Sequence, residues 1–172
     1  MSRESKIFLP AGLGALLLFL FSREDSKADT YQDTGTISPS DYIKRYYALA
    51  KQTETYYAVP AAFTLAQAGL ESNWGNSNIA REANNHFGIK ADGSWSGPVY
   101  NTSGNRYRKY NSVQESYDDH GKFLVVNPRY DGAFNSKDPF IFGASVANAG
   151  YAEDPNYYSL ISNAIKSVNN II

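Results

Sequence analysis

The chain has 172 residues, 16 basic and 17 acidic side chains and a formal net charge of −1, a length that suits one domain with a sizeable core plus a short appendage. Balanced charge supplies no basic footprint and argues against nucleic acid as a partner. The absence of cysteine removes disulfide frameworks, thiolate metal sites and cysteine nucleophiles together, and leaves the compartment open. The 14 tyrosines supply flat amphipathic rings that suit a glycan or peptide surface, or else a tyrosine-rich core.

In chain order, residues 7–21 (IFLPAGLGALLLFLF) form an uncharged run of 15 residues preceded by Arg3 and Lys6. As a helix this run would span about 22 Å, short of a hydrocarbon core of about 30 Å. No convincing small-x-small cleavage site follows it. A short signal anchor is therefore expected over residues 1–22, in preference to a cleaved signal peptide. In both cases the remainder is exported. It would be anchored to the cytoplasmic membrane through residues 7–21 with its domain on the wall side, or secreted, or associated with a virion if the chain belongs to a phage. Residues 23–39 are polar without an apolar period, the pattern of a flexible linker.

From Ser40 the sequence reads as mainly helical, in an α+β arrangement. Ser40-Asp41 caps a predicted helix to about Ala58, with Tyr42, Ile43, Tyr46, Tyr47, Leu49 and Ala50 forming its apolar stripe. Val59-Pro60 breaks that helix, and Pro60 opens a second that ends near Glu71. Ser112-Val113-Gln114-Glu115 is a capping box for a helix to about Val126. Asp138-Pro139 starts another to Asn148, and Asp154-Pro155 starts the last, through Val168. Between Phe87 and Tyr110, aromatic and β-branched residues alternate with glycine-rich turns. A small β-element is expected there, with Thr102-Ser103-Gly104-Asn105 as a hairpin tip.

The stretch LESNWGNSNIAREANNHFGIKA, residues 70–91, carries the chemistry. Glu71 ends a nearly unbroken apolar run, and amides, glycines and Trp74 follow it. A carboxyl at the end of an apolar helix is partly desolvated, which raises its pKa and suits it to protonate a glycosidic oxygen. The plainer alternative is a helix-terminal glutamate bonded to a backbone amide. Trp74 is expected to pack the core. Trp95, on the hairpin lobe, suits a pyranose face equally well. Asp119-His120 reads as a hydrogen-bond anchor on a helix surface. The two histidines have no zinc-like spacing, so neither metal nor cofactor is expected.

Four segments in order, ESNWG at 71–75, ANNHFGIK at 83–90, RKYNSVQESYDDH at 108–120 and GYAEDPNYY at 150–158, resemble the bacterial cell-wall N-acetylglucosaminidases. Their domain also occurs in the flagellar-rod peptidoglycan hydrolase and in autolysins (glycoside hydrolase family seventy-three). The resemblance covers residues 40–172. It implies a lysozyme-like helical domain with a small β-hairpin lobe, acting as a monomer on peptidoglycan glycan strands. It further implies catalytic roles for Glu71 and Tyr151 and a cleft lined by Asn85, Phe87 and Gly88; Trp95 and Tyr158 are further candidates for sugar contact by residue type.

One departure from the family pattern stands out. Many relatives carry a second glutamate on the β-lobe, whereas residues 93–114 contain no acid and hold Arg106, Arg108 and Lys109 instead. Three accounts remain open: attack by the substrate's own 2-acetamido group oriented by Tyr151, water activated by Asp92 or another acid, or glycan binding without cleavage. A muramidase or lytic transglycosylase acting on the neighbouring bond is the nearest enzymatic rival. A non-catalytic peptidoglycan-binding or envelope-assembly module is the rival of another class.

Overall fold

A computed structural model describes residues 35–172; the expected membrane segment, and the linker up to residue 34, lie outside the described residues. Among the described residues no helix is long and apolar enough to cross a membrane.

The order of elements is α1 (Pro39–Tyr57), α2 (Ala61–Ser72), α3 (Asn78–Ala83), β1 (Val99–Thr102), β2 (Asn105–Arg108), α4 (Val113–Val126), a 3-10 helix (Pro128–Asn135), α5 (Pro139–Asn148) and α6 (Tyr157–Asn169). Helix α1 begins slightly before its expected cap. Ser38 Oγ accepts from the Asp41 amide and Pro39 takes the first helical position, where a missing N–H costs nothing. Ile37 is also tied to the domain, its amide donating to Asn76 Oδ1 at 2.9 Å and its carbonyl accepting from Asn76 Nδ2 at 3.0 Å. The end of the polar segment thus belongs to the folded body.

Helix α2 is the axis of the molecule. Residues Ala61 to Gly69 are all buried, and the helix packs against α1, α5 and α6. An apolar run without a polar face has this as its stable placement. Its last turn emerges from the core, which brings Glu71 out at the edge.

The turn after α2 is unusually strained. Asn73, Trp74 and Gly75 all have positive φ (52°, 53° and 79°), uncommon for a residue as bulky as tryptophan. The Trp74 amide donates to the Gly69 carbonyl, and its indole lies over Gly69 and meets the Tyr42 ring edge-on at 5.8 Å. Trp74 therefore serves the core, as the sequence suggested.

Strands β1 and β2 pair antiparallel with Val99 opposite Arg108 and Thr102 opposite Asn105. Gly104 supplies the positive φ of the tip. Residues 89–91 run along the other edge of β2, with Arg108 N donating to the Ile89 carbonyl and Ala91 N to the Arg106 carbonyl. The expected hairpin lobe is present and packs on α3.

The capping box at α4 is half reciprocal. Ser112 Oγ accepts from the Glu115 amide at 3.3 Å, but the Glu115 carboxylate accepts from Asn111 N rather than from Ser112 N. The last helix starts later than its Asp-Pro signal. Asp154 caps a preceding turn by accepting from the Asn156 amide, and α6 opens at Tyr157. Neither α3 nor the 3-10 helix was predicted, because both are too short to show a period.

A methyl at position 69 would sit 2.5 Å from the Trp74 ring. Gly69→Ala is accordingly expected to destabilise the fold by about 1–3 kcal/mol, read as a lower midpoint in thermal unfolding. An unchanged midpoint would show that the indole does not hold this turn.

Candidate active site

Glu71 lies on the floor of a cleft of about 410 Å³, a size that takes sugar units. One wall comes from Phe87, Gly88, Ile89, Lys90 and Asp92 with Arg108 of β2; the other comes from Phe123, Arg129, Tyr130, Tyr151 and Ala152. As a residue Glu71 is open to solvent, but its carboxyl is walled by tyrosines. Tyr157 Oη donates to Glu71 Oε1 at 3.3 Å. Burial raises the Glu71 pKa, and the Tyr157 hydrogen bond, which favours the anion, opposes the shift without cancelling it. The group is thereby biased toward its protonated form.

The neighbouring tyrosines stay protonated. Burial pushes the Tyr151 and Tyr157 hydroxyls up, and the Glu71 carboxylate pushes them further. Their rings stack with centroids 5.8 Å apart at 17°. Tyr130 borders the same cleft, and its buried hydroxyl has no protein partner among the described residues.

The residues expected from sequence divide into two groups. Glu71, Tyr151, Phe87 and Gly88 meet in the cleft. Gly88, at φ 62° with open space where a Cβ would be, lets the backbone form a smooth wall. Phe87 contributes an edge only, since it is 3% exposed.

Asn85, Trp95 and Tyr158 are not among the lining residues. The buried Asn85 amide bonds the carbonyls of Ile89 and Arg108, and its Oδ1 accepts from the Ile89 amide. It pins the turn that carries Gly88 to β2. Trp95 lines an adjoining groove that shares Arg108 and Phe123 with the cleft; its Nε1 donates to the Pro98 carbonyl and the Arg108 guanidinium lies 4.9 Å above its ring. Tyr158 stands exposed on α6.

The expected Asp119-His120 surface anchor is half corrected. Asp119 does anchor: it accepts both hydrogen bonds from Arg108 Nη1 and one from Tyr110 Oη at 2.6 Å. His120, however, is fully buried. It stacks on Phe87 at 3.8 Å and its Nε2 lies 2.7 Å from Gln67 Oε1. Burial lowers its pKa to about 3, so the ring is neutral. Adjacent residues on a helix point about 100° apart, which is why one is half-buried and the other enters the core. His86 is likewise buried, against Tyr42 Oη at 2.7 Å, with its pKa lowered to about 4 by burial. No cluster of three potential metal-ligating side chains occurs among the described residues.

Sequence reasoning missed Tyr157, Gln67, Tyr130 and Arg129. Gln67 did leave a signal. It is a long polar side chain inside the apolar run of α2, and such a group requires partners.

A desolvated acid on the floor of a sugar-sized cleft, between a helical body and a β-lobe, defines a mainly helical glycoside hydrolase domain. The chain belongs to the glucosaminidase family: the profile described as mannosyl-glycoprotein endo-beta-N-acetylglucosaminidase matches residues 47–170. It is similar to the peptidoglycan hydrolase FlgJ of Salmonella typhimurium, with 33% identity over 144 residues that cover 74% of this chain and 46% of that protein. It is also similar to the exo-glucosaminidase LytG of Bacillus subtilis, with 34% identity over 124 residues, 63% of this chain and 44% of that protein. The chain thus spans less than half the length of these relatives. Among solved structures, the glycoside hydrolase domain of Salmonella typhimurium FlgJ superposes with a TM-score of 0.71 at 33% identity, covering 78% of this chain and 91% of that one. The catalytic domain of the Listeria monocytogenes autolysin Auto superposes at 0.67 and 30% identity, covering 80% and 88%.

The raised Glu71 pKa carries a stability consequence. The folded state holds this proton to higher pH than the unfolded chain does, so folding weakens as pH rises from the ordinary carboxylate pKa through the folded value. Glu71→Gln removes that penalty. Its midpoint of thermal unfolding is expected to lie above the parent's by a small margin at neutral pH, with the difference vanishing below the ordinary carboxylate range. A difference that persists in acid would contradict burial as the cause.

Proposed function

We propose that the chain is a peptidoglycan hydrolase that cleaves the β-1,4 bond after N-acetylglucosamine, with Glu71 as general acid. The single observation that carries this is the desolvated Glu71 carboxyl on the cleft floor beside two protonated tyrosines. The names of the FlgJ and LytG relatives support it. The work of such an enzyme is on the wall side of the membrane.

The β-lobe wall favours a mechanism with one protein carboxyl. Residues 93–114 of the β-lobe carry no acid, and Arg108 on the cleft wall is held by Asp119. In the first step Glu71 protonates the leaving glycosidic oxygen while the substrate's 2-acetamido oxygen attacks C1. The C1–O bond to the leaving sugar breaks and a C1–O bond to the acetamide forms, giving an oxazolinium ion. Tyr151, beside Glu71, orients the acetamide. In the second step the Glu71 carboxylate takes a proton from water, which attacks C1, opens the ring and restores the acetamide and the acid.

A second mechanism is favoured by one observation. Asp92 lines the same cleft, and hydrogen bonds from the Ser94 hydroxyl and amide lower its pKa and keep it ionised. Such a carboxylate can activate water directly, which inverts the anomeric centre.

Digestion of purified peptidoglycan by residues 35–172, with mass spectrometry of the fragments, tests the proposal. Reducing-end N-acetylglucosamine is expected, with Glu71→Gln slower by about 10²–10⁴-fold. Reducing or anhydro-muramic ends would move the cut to the neighbouring bond. Equal turnover by Glu71→Gln, or glycan binding without fragments from the parent, would sink the enzymatic assignment. The anomer first released, followed by NMR, separates the mechanisms. Retention fits acetamide participation, and inversion that is lost in Asp92→Asn fits the water route.

A further inference from the structure

Four side chains from three helices form a continuous line of hydrogen bonds that ends on the acid. His120 Nε2 and Gln67 Oε1 are 2.7 Å apart, Gln67 Nε2 and Tyr157 Oη 2.7 Å, and Tyr157 Oη and Glu71 Oε1 3.3 Å. His120, on α4, and Gln67, on α2, are both fully buried, far more than a role in solvent contact needs.

The direction of the line is determined from its last member. Tyr157 Oη lies as donor to Glu71 Oε1, and whenever Glu71 is ionised its carboxylate can only accept, so the single Tyr157 proton goes to Glu71. Tyr157 Oη then has to accept from Gln67, which turns the amide N–H₂ of Gln67 toward the tyrosine. Its Oε1 therefore faces His120 and requires an N–H at Nε2. The histidine proton is on Nε2, and the atom left without a partner is Nδ1, which carries the lone pair of that tautomer. Both ends of the line agree on one direction.

We propose that Gln67 and His120 are positioning residues for Glu71: through Tyr157 they form a one-way hydrogen-bond chain that fixes a donor on Oε1 and leaves the transferable proton on Oε2. Among the described residues Oε2 has no protein partner. The Gln67 amide could otherwise turn over and offer its oxygen to Tyr157, which would then donate away from the acid. His120 prevents this, because its Nε2–H would meet the N–H₂ of the turned amide. Phe87, stacked on the imidazole, holds the ring plane in place. The role presupposes that Glu71 is the general acid.

The chain has a sign that can be measured. Tyr157 donation favours the Glu71 anion, so loss of the donor raises the Glu71 pKa further. Other groups act on the same carboxyl and stay constant in the comparison: Tyr151 and Tyr130 beside it, and Asp92, Lys90, Arg108 and Arg129 on the cleft walls.

The test is titration of the Glu71 side-chain carboxyl by carbon-13 NMR, which needs no turnover, together with the basic limb of the kcat–pH profile. Tyr157→Phe and Gln67→Met are each expected to move both upward, by roughly 0.5–1 pH unit, with no further movement in the double variant. His120→Phe, which keeps the stacked ring, is expected to shift them in the same direction. His120→Gln, whose amide nitrogen reaches the position of Nε2, is expected to restore the parent titration. A purely structural role would lower the unfolding midpoint and leave the titration in place, and that result in folded Gln67→Met or His120→Phe would overturn the proposal. An unmoved titration in Tyr157→Phe, which changes one hydroxyl, would overturn it as well. An active Glu71→Gln with the expected titrations would sink the assignment of the acid and leave the hydrogen-bond chain standing.

Discussion

The site depends on one constraint, the complete burial of α2 up to its last turn. Nine consecutive residues, Ala61 to Gly69, are enclosed, so the helix cannot rotate or slide without exposing apolar surface at about 25 cal/mol per Å². Glu71 occupies the first position where the helix leaves the core, and its carboxyl inherits both a dry neighbourhood and a fixed location. The strained turn after it, with Trp74 closed over Gly69, stops the helix just beyond Glu71. Strain of this kind persists only where surrounding packing over-determines it, and here the indole and Tyr42 supply that packing.

The cleft has two walls of different character. The wall formed by Tyr130 and Tyr151 is aromatic and offers hydroxyls that keep their protons. The β-lobe wall is polar and cationic, with Lys90 and Arg108 beside Asp92. Asn85 ties that wall together, closing the 85–89 turn with two hydrogen bonds to Ile89 and joining it to β2 with one to the Arg108 carbonyl. Arg108 is clamped by Asp119 from α4 and lies against the Trp95 ring, so its guanidinium is fixed on this wall beside Asp92.

Buried polar groups do in this protein what metals do in others: they set orientation from within the core. Gln67 and His120 are costly to bury unless every demand is met, and only one atom of the pair, His120 Nδ1, is left unmet. Their hydrogen bonds join α2, α4 and α6 at the back of the acid. A network enclosed to this degree favours one arrangement.

The sequence by itself determined the class of fold and singled out Glu71 at the end of a buried helix. The apolar run ending in Glu71, the Ser112 and Asp138 caps, and the turn residues at 102–105 are local signals, and each produced the expected element. Helix α6 opened two residues beyond Pro155, because Asp154 closes a turn of its own first. What only the tertiary structure decided is which side chains reach the acid. Tyr157 and Gln67 lie 86 and 90 residues from their partners Glu71 and Tyr157, and no periodicity records such pairings. Asn85 and His120 were legible as polar residues near the motif, yet their side chains turn inward, Asn85 to backbone and His120 to Gln67. Trp95 and Tyr158 were chemically suited to a sugar, yet Trp95 lines an adjoining groove and Tyr158 stands exposed on α6, neither among the residues around Glu71. Residue type is a local property, whereas the direction of a side chain is decided by what packs around it.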